Sequence, residues 1–143
     1  MMPLNSSTFG KAGEEAVASY LKKRLWRVIA RNYRSRGGEL DIVAYRFGVL
    51  AIVEVKTRSS DAFGSPSDAV TAEKQRRIKS AYYGFAYEQM KYKSVPVWSF
   101  LRREQVLRHV RKTRFDVAEV YMDRAMQNKT INYIKNFFEI QTR

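Results

Sequence analysis

The chain has 143 residues, and 45% of them are hydrophobic, so we expect one globular domain over residues 1–143 with a sizeable core. It has no cysteine and one histidine, which excludes disulfides, thiolate catalysis, a Ser-His-Asp triad and a histidine-based metal site. The formal charge of +13 favours a polyanionic partner, with nucleic acid as the first candidate. An anionic membrane surface is the second, but no segment combines a basic face with a strongly apolar one convincingly. No apolar run approaches a membrane span and no signal peptide is evident, so we expect a cytoplasmic protein with no membrane partner.

Hydrophobic periodicity and turn residues predict helices interleaved with strands, which is typical of an α/β fold with a mixed sheet. A Ser-Ser-Thr cap begins the first helix, and a stretch rich in Gly, Ser and Pro precedes the second. In chain order, the predicted elements are a helix at 6–25, strands at 28–33, 38–43 and 52–56, a loop at 59–66, a helix from 67 or 71 to 90, a helical insertion at about 91–113 with its helix at 100–110, and strands at 114–120 and 130–134.

The second and third strands form a predicted hairpin that carries three carboxylates and one ammonium group. A two-residue loop at Phe47-Gly48 sets Asp41 opposite Glu54, and Glu39 opposite Lys56. The charged side chains share one face of this hairpin. The other face is predicted to be wholly apolar and to consist of Leu40, Ile42, Ala44, Ala51, Val53 and Val55.

Two like charges placed opposite each other on a sheet are destabilising, and more so when they are desolvated. A divalent cation bound between Asp41 and Glu54 would offset this repulsion, because Mg²⁺ prefers carboxylate oxygens. Protonation of one carboxyl group is an alternative. A solvated face with cross-strand ion pairs is the ordinary interpretation of an isolated Glu-x-Lys in a strand. Its pairing with Gly-Glu-x-Asp through a short turn favours a metal site.

Basic residues are concentrated before the hairpin and in the second helix. Residues 22–36 contain seven basic residues and no acidic one, so a cationic approach leads to the carboxylates. The first half of the second helix, which includes Lys74 and Gln75, is a candidate phosphate-facing surface, although a solvated helix explains each residue equally well. His109 lies in a strongly basic stretch, and we interpret it as an incidental surface residue.

Several of these residues together resemble a known family. They are Gly10, Glu14, Asn32, Gly38-Glu39-Leu40-Asp41, Val53-Glu54-Val55-Lys56-Thr57-Arg58, Phe63-Gly64, Lys74-Gln75 and Arg114-Phe115-Asp116. Over most of its length the chain resembles the YraN-type family of uncharacterised bacterial proteins. That family is similar to the Holliday-junction-resolvase branch of the restriction-endonuclease-like PD-(D/E)XK nucleases. Two departures are Leu25, where a glycine usually ends the first helix, and a longer stretch at 91–113.

The resemblance implies a restriction-endonuclease-like mixed β-sheet flanked by helices, with a Mg²⁺ or Mn²⁺ site at the hairpin. Its metal ligands fall on Asp41, Glu54 and the carbonyl of Val55, and its catalytic lysine falls on Lys56. Its first-helix acid falls on Glu14, for which periodicity alone favours a helix-dipole interaction.

Glu39 has two interpretations in this scheme. It could orient Lys56 through the ion pair that the register predicts, or it could reach a second metal ion. Either role would place it beside the primary ligands and not among them.

The leading hypothesis is a Mg²⁺- or Mn²⁺-dependent endonuclease that acts on DNA phosphodiester bonds, with branched or junction DNA as a candidate substrate. Two symmetric cuts would favour a homodimer. The main rival is a nucleic-acid-binding protein of nuclease fold without catalytic activity. A basic ribosome-associated protein would explain the charge but not the carboxylate pair. The residues expected to grip the nucleic-acid backbone are Arg34, Arg36, Arg58, Lys74 and Gln75.

Overall fold

The computed structural model describes residues 6–60 and 70–139. Phe63-Gly64 and most of the predicted 59–66 loop lie outside the described residues. The elements in chain order are α1 (Ser6–Lys23), β1 (Arg27–Ser35), β2 (Gly38–Arg46), β3 (Val49–Ser59), α2 (Ala72–Gln89), β4 (Ser94–Ser99), β5 (Glu104–His109), β6 (Lys112–Met122) and β7 (Thr130–Phe138).

A five-stranded mixed sheet in the order β1-β2-β3-β6-β7 forms the centre of the fold. Its neighbours pair antiparallel except for β3 and β6, which are parallel along the whole of β3. The parallel pair needs a crossover connection, and α2 lies within it. The predicted α/β fold, with a mixed sheet flanked by helices, is therefore confirmed.

The two helices pack on opposite faces of this sheet. Val17 and Leu21 of α1 belong to one buried cluster, whereas Ile78 and Phe85 of α2 belong to the other. Because both faces are covered, both must supply apolar side chains. The predicted apolar face is confirmed for Ile42, Ala44, Ala51, Val53 and Val55, which all pack in the cluster beneath α1. Leu40 packs instead in the α2 cluster, and the prediction that the opposite face is charged is wrong, because Val43, Leu50 and Ile52 are buried on that face.

Helix α1 ends in a Schellman motif at a residue other than glycine. The N–H of Trp26 donates to the carbonyl of Leu21 at 3.0 Å, and the N–H of Leu25 donates to that of Lys22 at 3.1 Å. Leu25 takes the left-handed conformation, with φ of 69°. The helix thus ends two residues before the predicted boundary, with leucine in the usual place of glycine.

Helix α2 begins after Thr71, the later of the two predicted starts. The side-chain oxygen of Thr71 accepts a hydrogen bond from the backbone N–H of Lys74 at 3.2 Å. This cap fixes Lys74 in the first turn of the helix.

The helical insertion predicted for 91–113 is wrong, because β4 and β5 form an antiparallel hairpin there. Val95 and Val97 are both buried, which is the period-two pattern of a strand with one covered face. The burial depends on long-range packing in the α2 cluster, which the local sequence does not reveal.

Across residues 6–60 and 70–139, neither helix is long and apolar enough to cross a membrane.

Candidate metal and nucleic-acid site

Asp41 and Glu54 meet at the point where β2 and β3 separate. The ladder runs from Arg46 and Val49 to Ile42 and Val53, which confirms the predicted register and turn. It ends one pair before the two acids. Instead of a further backbone pair, the N–H of Val55 donates to Oδ2 of Asp41 at 2.9 Å. The Asp41 side chain therefore spans the gap between the strands and comes within interaction range of Glu54.

The pKa of Asp41 is raised to about 7 by its environment. Burial is the largest cause, and the negative charge of Glu54 is the second. The Val55 N–H and the ammonium group of Lys74 act in the opposite direction. Burial and the repulsion by Glu54 together favour a proton on Asp41 near neutral pH. A bound cation would relieve the same unfavourable charge.

Lys74 supplies a cation to this pair. Its Nζ lies 2.6 Å from Oε1 of Glu54, whose side chain is 6% exposed. Burial lowers the pKa of Lys74, but the hydrogen bond and charge of Glu54 outweigh that effect and raise it. The sequence predicted that Lys74 contacts phosphate, but it did not predict the ion pair between Lys74 and Glu54.

Glu14 approaches the pair from α1. Partial burial and the charge of Asp41 raise the pKa of Glu14, and a hydrogen bond from Asn32 opposes them. Helix α1 sits so close to β3 that a Cβ on Gly13 would clash with the Thr57 side chain. This contact holds Glu14 within electrostatic range of Asp41.

Glu39 does not pair with Lys56, contrary to the predicted register. It lies opposite Arg34 in the β1-β2 ladder, and its Oε2 is 3.1 Å from Nε of Arg34. The reason is that the β2-β3 ladder has already ended, so the start of β2 pairs with β1 alone. Lys56 follows Glu54 by two residues in the unbroken β3-β6 ladder and therefore lies on the same face of the sheet. It takes part in none of the ion pairs found among the described residues.

An open cleft of about 870 Å³ leads to the two carboxylates. Arg34 and Arg36, both exposed, lie on its wall with Lys74 and Arg77. Gly38 forms part of the wall where α2 passes, and a Cβ there would clash with the carbonyl oxygen of Arg77. Two arginines of the wall are themselves ion-paired, Arg34 with Glu39 and Arg77 with Glu73. The cleft therefore combines an acidic centre with a rim of mixed charge, in which Arg36 forms none of the ion pairs found among the described residues.

Two of the five residues predicted to contact the nucleic-acid backbone, Arg58 and Gln75, contact other parts of the protein and lie outside the cleft. Arg58 is 14% exposed, and its Nε lies 3.8 Å from Oε2 of the buried Glu119. Gln75 donates its side-chain amide to the carbonyl of Val70 at 3.3 Å. Neither residue lines the cleft, so both are poorly placed to grip a nucleic-acid backbone.

Asp116 is a buried carboxylate whose surroundings the sequence did not reveal. Its oxygens accept hydrogen bonds from the guanidinium of Arg114, from the Tyr133 hydroxyl at 2.6 Å and from the Asn136 N–H at 2.8 Å. These donors satisfy it fully, which indicates a structural role. The sequence offered one signal of this burial, namely that Asp116 is a charged residue within the apolar strand β6.

The donor set at the hairpin suits a hard divalent cation. In the described part of the chain, no three or more acidic, histidine or cysteine residues cluster as a metal site, so the protein offers a pair of carboxylates. Mg²⁺ is commonly held by one or two carboxylates, with water and phosphate as its other ligands. The Asp41 and Glu54 pair meets that requirement, and the carbonyl of Val55 remains a predicted third ligand.

A five-stranded mixed sheet with helices on both faces, and a carboxylate pair where two strands part, defines an α/β protein whose architecture is consistent with a nuclease-like fold. The chain belongs to UPF0102, an uncharacterised protein family, and the match covers residues 13–120. This range contains Glu14, Asp41, Glu54, Lys56 and Lys74. The resemblance to the YraN-type family, which is UPF0102, is thereby confirmed.

Curated relatives carry the same family name. A UPF0102 protein of Alkaliphilus metalliredigens is 37% identical over 93% of this chain and 99% of its own length. One from Caldicellulosiruptor saccharolyticus is 38% identical over 94% of this chain and the whole of the relative. One from Trichlorobacter lovleyi is 39% identical over 97% of this chain and 98% of its own length. These matches identify the family, and their names state no activity.

Proposed function

We propose that this protein is a divalent-metal-dependent nuclease that hydrolyses phosphodiester bonds of DNA. The observation that carries the proposal is the meeting of Asp41 and Glu54 in an open cleft whose wall carries Arg34, Arg36 and Arg77. A carboxylate pair that is buried at a desolvation cost, and whose repulsion raises the pKa of Asp41, is typical of a site that functions with a cation bound. The net charge of +13 supports a polyanionic substrate.

Asp41 and Glu54 would hold Mg²⁺ or Mn²⁺, with the carbonyl of Val55 as a further ligand. Such a cation, when bound, polarises a phosphoryl oxygen and lowers the pKa of an attacking water. Lys56, on the same face as Glu54, would orient that water or neutralise charge on the phosphate. The guanidinium groups of Arg34 and Arg36 would bind the phosphates on either side of the bond to be cleaved. They would thereby hold the DNA backbone in the orientation that cleavage requires.

The resemblance to junction resolvases makes branched DNA the first substrate class to test. Paired cuts in a junction require two sites, so a homodimer is part of this proposal. Action on cellular DNA would also place the protein in the cytoplasm.

A nucleic-acid-binding protein without catalytic activity is the second candidate, and one contact favours it. The Lys74 ammonium group satisfies Glu54 without any metal ion. If that bond persists when DNA is bound, the carboxylate pair would stabilise the cleft and the arginines of its wall alone would bind the DNA.

Cleavage assays separate these two candidates. Four-way junction, single-stranded and duplex DNA would be incubated with Mg²⁺, Mn²⁺ or EDTA. The nuclease proposal predicts cutting that requires metal, is lost in Asp41→Asn and falls about 10²-fold or more in Lys56→Ala. Glu104→Gln is the matched control, because Glu104 is an exposed acid outside the cleft. Absence of metal-dependent cutting, or its survival in Asp41→Asn, would leave only the binding function.

A further inference from the structure

A second groove, of about 960 Å³, lies between the β4-β5 hairpin and the ends of β1 and β2. We call it the aromatic-basic groove and define it by Arg27, Arg46, Phe47, Trp98, Phe100 and Arg108. Among the described residues, it shares no lining residue with the carboxylate cleft. The two sites lie toward opposite ends of β2, because Asp41 and Arg46 are separated by about 17 Å of extended strand.

The charge of the groove has one sign. Four basic residues, Lys22, Arg27, Arg46 and Arg108, line it, and none of the lining residues that the structure describes is acidic. A two-fold contact between two copies of this surface would bring these cations together, which opposes self-association. The complementary partner is therefore a polyanion.

The groove also presents aromatic rings to solvent. Phe47 is 77% exposed, Phe100 is 68% exposed and Trp98 is 45% exposed. The turn that carries Phe47 does not explain this residue, because its φ of 46° is a conformation that favours Asn or Gly. Exposed rings beside cations are the usual platform for unpaired bases, which stack on aromatic faces while phosphates bind basic side chains.

Contacts within the groove hold its cations next to its rings. The guanidinium carbon of Arg27 lies 4.5 Å from the centroid of the Phe100 ring. Arg46 lies 4.5 Å from the centroid of the buried Trp26 ring and donates to the carbonyl of Arg24 at 2.9 Å. Both cations are therefore held in place before any ligand arrives, which lowers the entropy lost on binding.

We propose that the aromatic-basic groove binds single-stranded nucleic acid. Bases stack on Phe47, Trp98 and Phe100, and the phosphates between them contact Arg27 and Arg108. Duplex DNA is a poorer ligand, because its bases are already stacked on one another and cannot reach the rings. The binding uses no residue of the carboxylate cleft and stands whether or not that cleft cleaves DNA.

Fluorescence anisotropy with a labelled 15-nucleotide oligothymidine, measured in EDTA, tests the proposal. Phe47→Ala, Trp98→Ala and Phe100→Ala are each expected to weaken binding by about fivefold or more. Tyr92→Ala is the matched control, since Tyr92 is 88% exposed and lies outside the groove. Quenching of tryptophan fluorescence by the oligonucleotide should disappear in Trp98→Phe.

Charge and specificity are tested by the same titration. Arg27→Gln and Arg108→Gln should each reduce the slope of log affinity against log salt, by about 0.7 for every phosphate that the variant no longer neutralises. Duplex DNA of the same length should bind more weakly than the single strand. Asp41→Asn should bind the oligonucleotide as the parent does, so a failure to cleave DNA does not decide this proposal.

Several results would overturn it. One is equal affinity of the three aromatic variants and Tyr92→Ala, and another is loss of oligonucleotide binding in Asp41→Asn. The groove would instead be a membrane or subunit contact under either of two outcomes. In the first, the aromatic substitutions abolish binding to vesicles of 30% phosphatidylserine in phosphatidylcholine without affecting the oligonucleotide. In the second, they change the sedimenting mass and nothing else.

Discussion

Nζ of Lys74 lies 2.6 Å from Oε1 of Glu54, so an ammonium group from the first turn of α2 occupies the position next to a proposed metal ligand. The charge of Lys74 also reaches Asp41 and Glu39. This single lysine thus neutralises only part of the negative charge of Glu54, Asp41 and Glu39. A divalent cation arriving at Asp41 and Glu54 would either displace this ammonium group or share the carboxylates with it.

Replacement of Lys74 by methionine should destabilise the metal-free protein and increase its response to metal. Glu54 is 6% exposed and would lose its ion pair with Lys74, which costs about 1–3 kcal/mol of unfolding free energy at neutral pH. Bound Mg²⁺ or Mn²⁺ should restore stability by mass action. Thermal unfolding with and without metal measures both effects.

Arg76→Met is the control for this experiment, because Arg76 is exposed on the same helix and lies outside the cleft. It should unfold as the parent does. Equal metal responses in Lys74→Met and the parent would show that Lys74 does not compete with a cation at this site.

The stability difference between the parent and Asp41→Asn should depend on pH. Burial and the charge of Glu54 raise the pKa of Asp41 to about 7, whereas an unfolded aspartate titrates near about 3.9. Between these values the folded state binds more protons than the unfolded state, so the Asp41 contribution to stability falls as pH rises. Chemical denaturation from pH 4 to 8 should show the unfolding free energy of Asp41→Asn rising relative to that of the parent as pH increases. A constant difference would contradict the raised pKa.

Two arginines from the same predicted set should behave differently. Arg36 is exposed on the cleft wall, so Arg36→Gln should weaken the binding of duplex DNA, the poorer ligand of the aromatic-basic groove, and reduce its salt dependence without changing the melting temperature. Arg58 is largely buried against Glu119, so Arg58→Gln should lower stability by about 1–3 kcal/mol. DNA affinity and unfolding free energy, measured on both variants, distinguish the two roles. The opposite pattern would show that the cleft is not the binding surface.

The close approach of α2 to β2 should make Gly38 intolerant of a side chain. A Cβ at this position meets the Arg77 carbonyl oxygen, so Gly38→Ala must push the helix outward at a cost of about 1–3 kcal/mol. The displaced helix would also carry Lys74 away from Glu54. Gly10→Ala is the control, because a Cβ on Gly10 would meet none of the described atoms within 4 Å and alanine is favoured inside α1. Equal unfolding free energies for both variants would contradict this packing.

The hairpin could be predicted from sequence because its determinants are local. Alternation of period two and the turn at Phe47-Gly48 fix the register from Ile42 to Arg46 without reference to the rest of the chain. The same local reasoning placed Asp41 opposite Glu54. It failed for Glu39, because that residue belongs to the part of β2 that pairs with β1 alone.

The other errors of the sequence-based prediction have one cause, which is that the features concerned depend on contacts between residues distant in the chain. The β4-β5 hairpin is stabilised by burial of Val95 and Val97 against elements distant in the chain. The Lys74 contact depends on how α2 crosses the sheet, where the helix begins at the Thr71 cap and passes close to Gly38. Arg58 reaches Glu119 only because β3 and β6 are parallel neighbours. None of these pairings has a local signature.

Calorimetric titration with Mn²⁺ tests the central claim most directly, because it measures the proposed ligand pair without requiring the correct substrate. We expect one binding event per chain in the parent, with affinity increasing as pH rises through 7 because Asp41 must lose its proton. Glu54→Gln should abolish it, and Glu104→Gln should leave it unchanged. Absence of saturable binding at millimolar Mn²⁺, or the same binding in Glu54→Gln as in the parent, would contradict a metal site at Asp41 and Glu54.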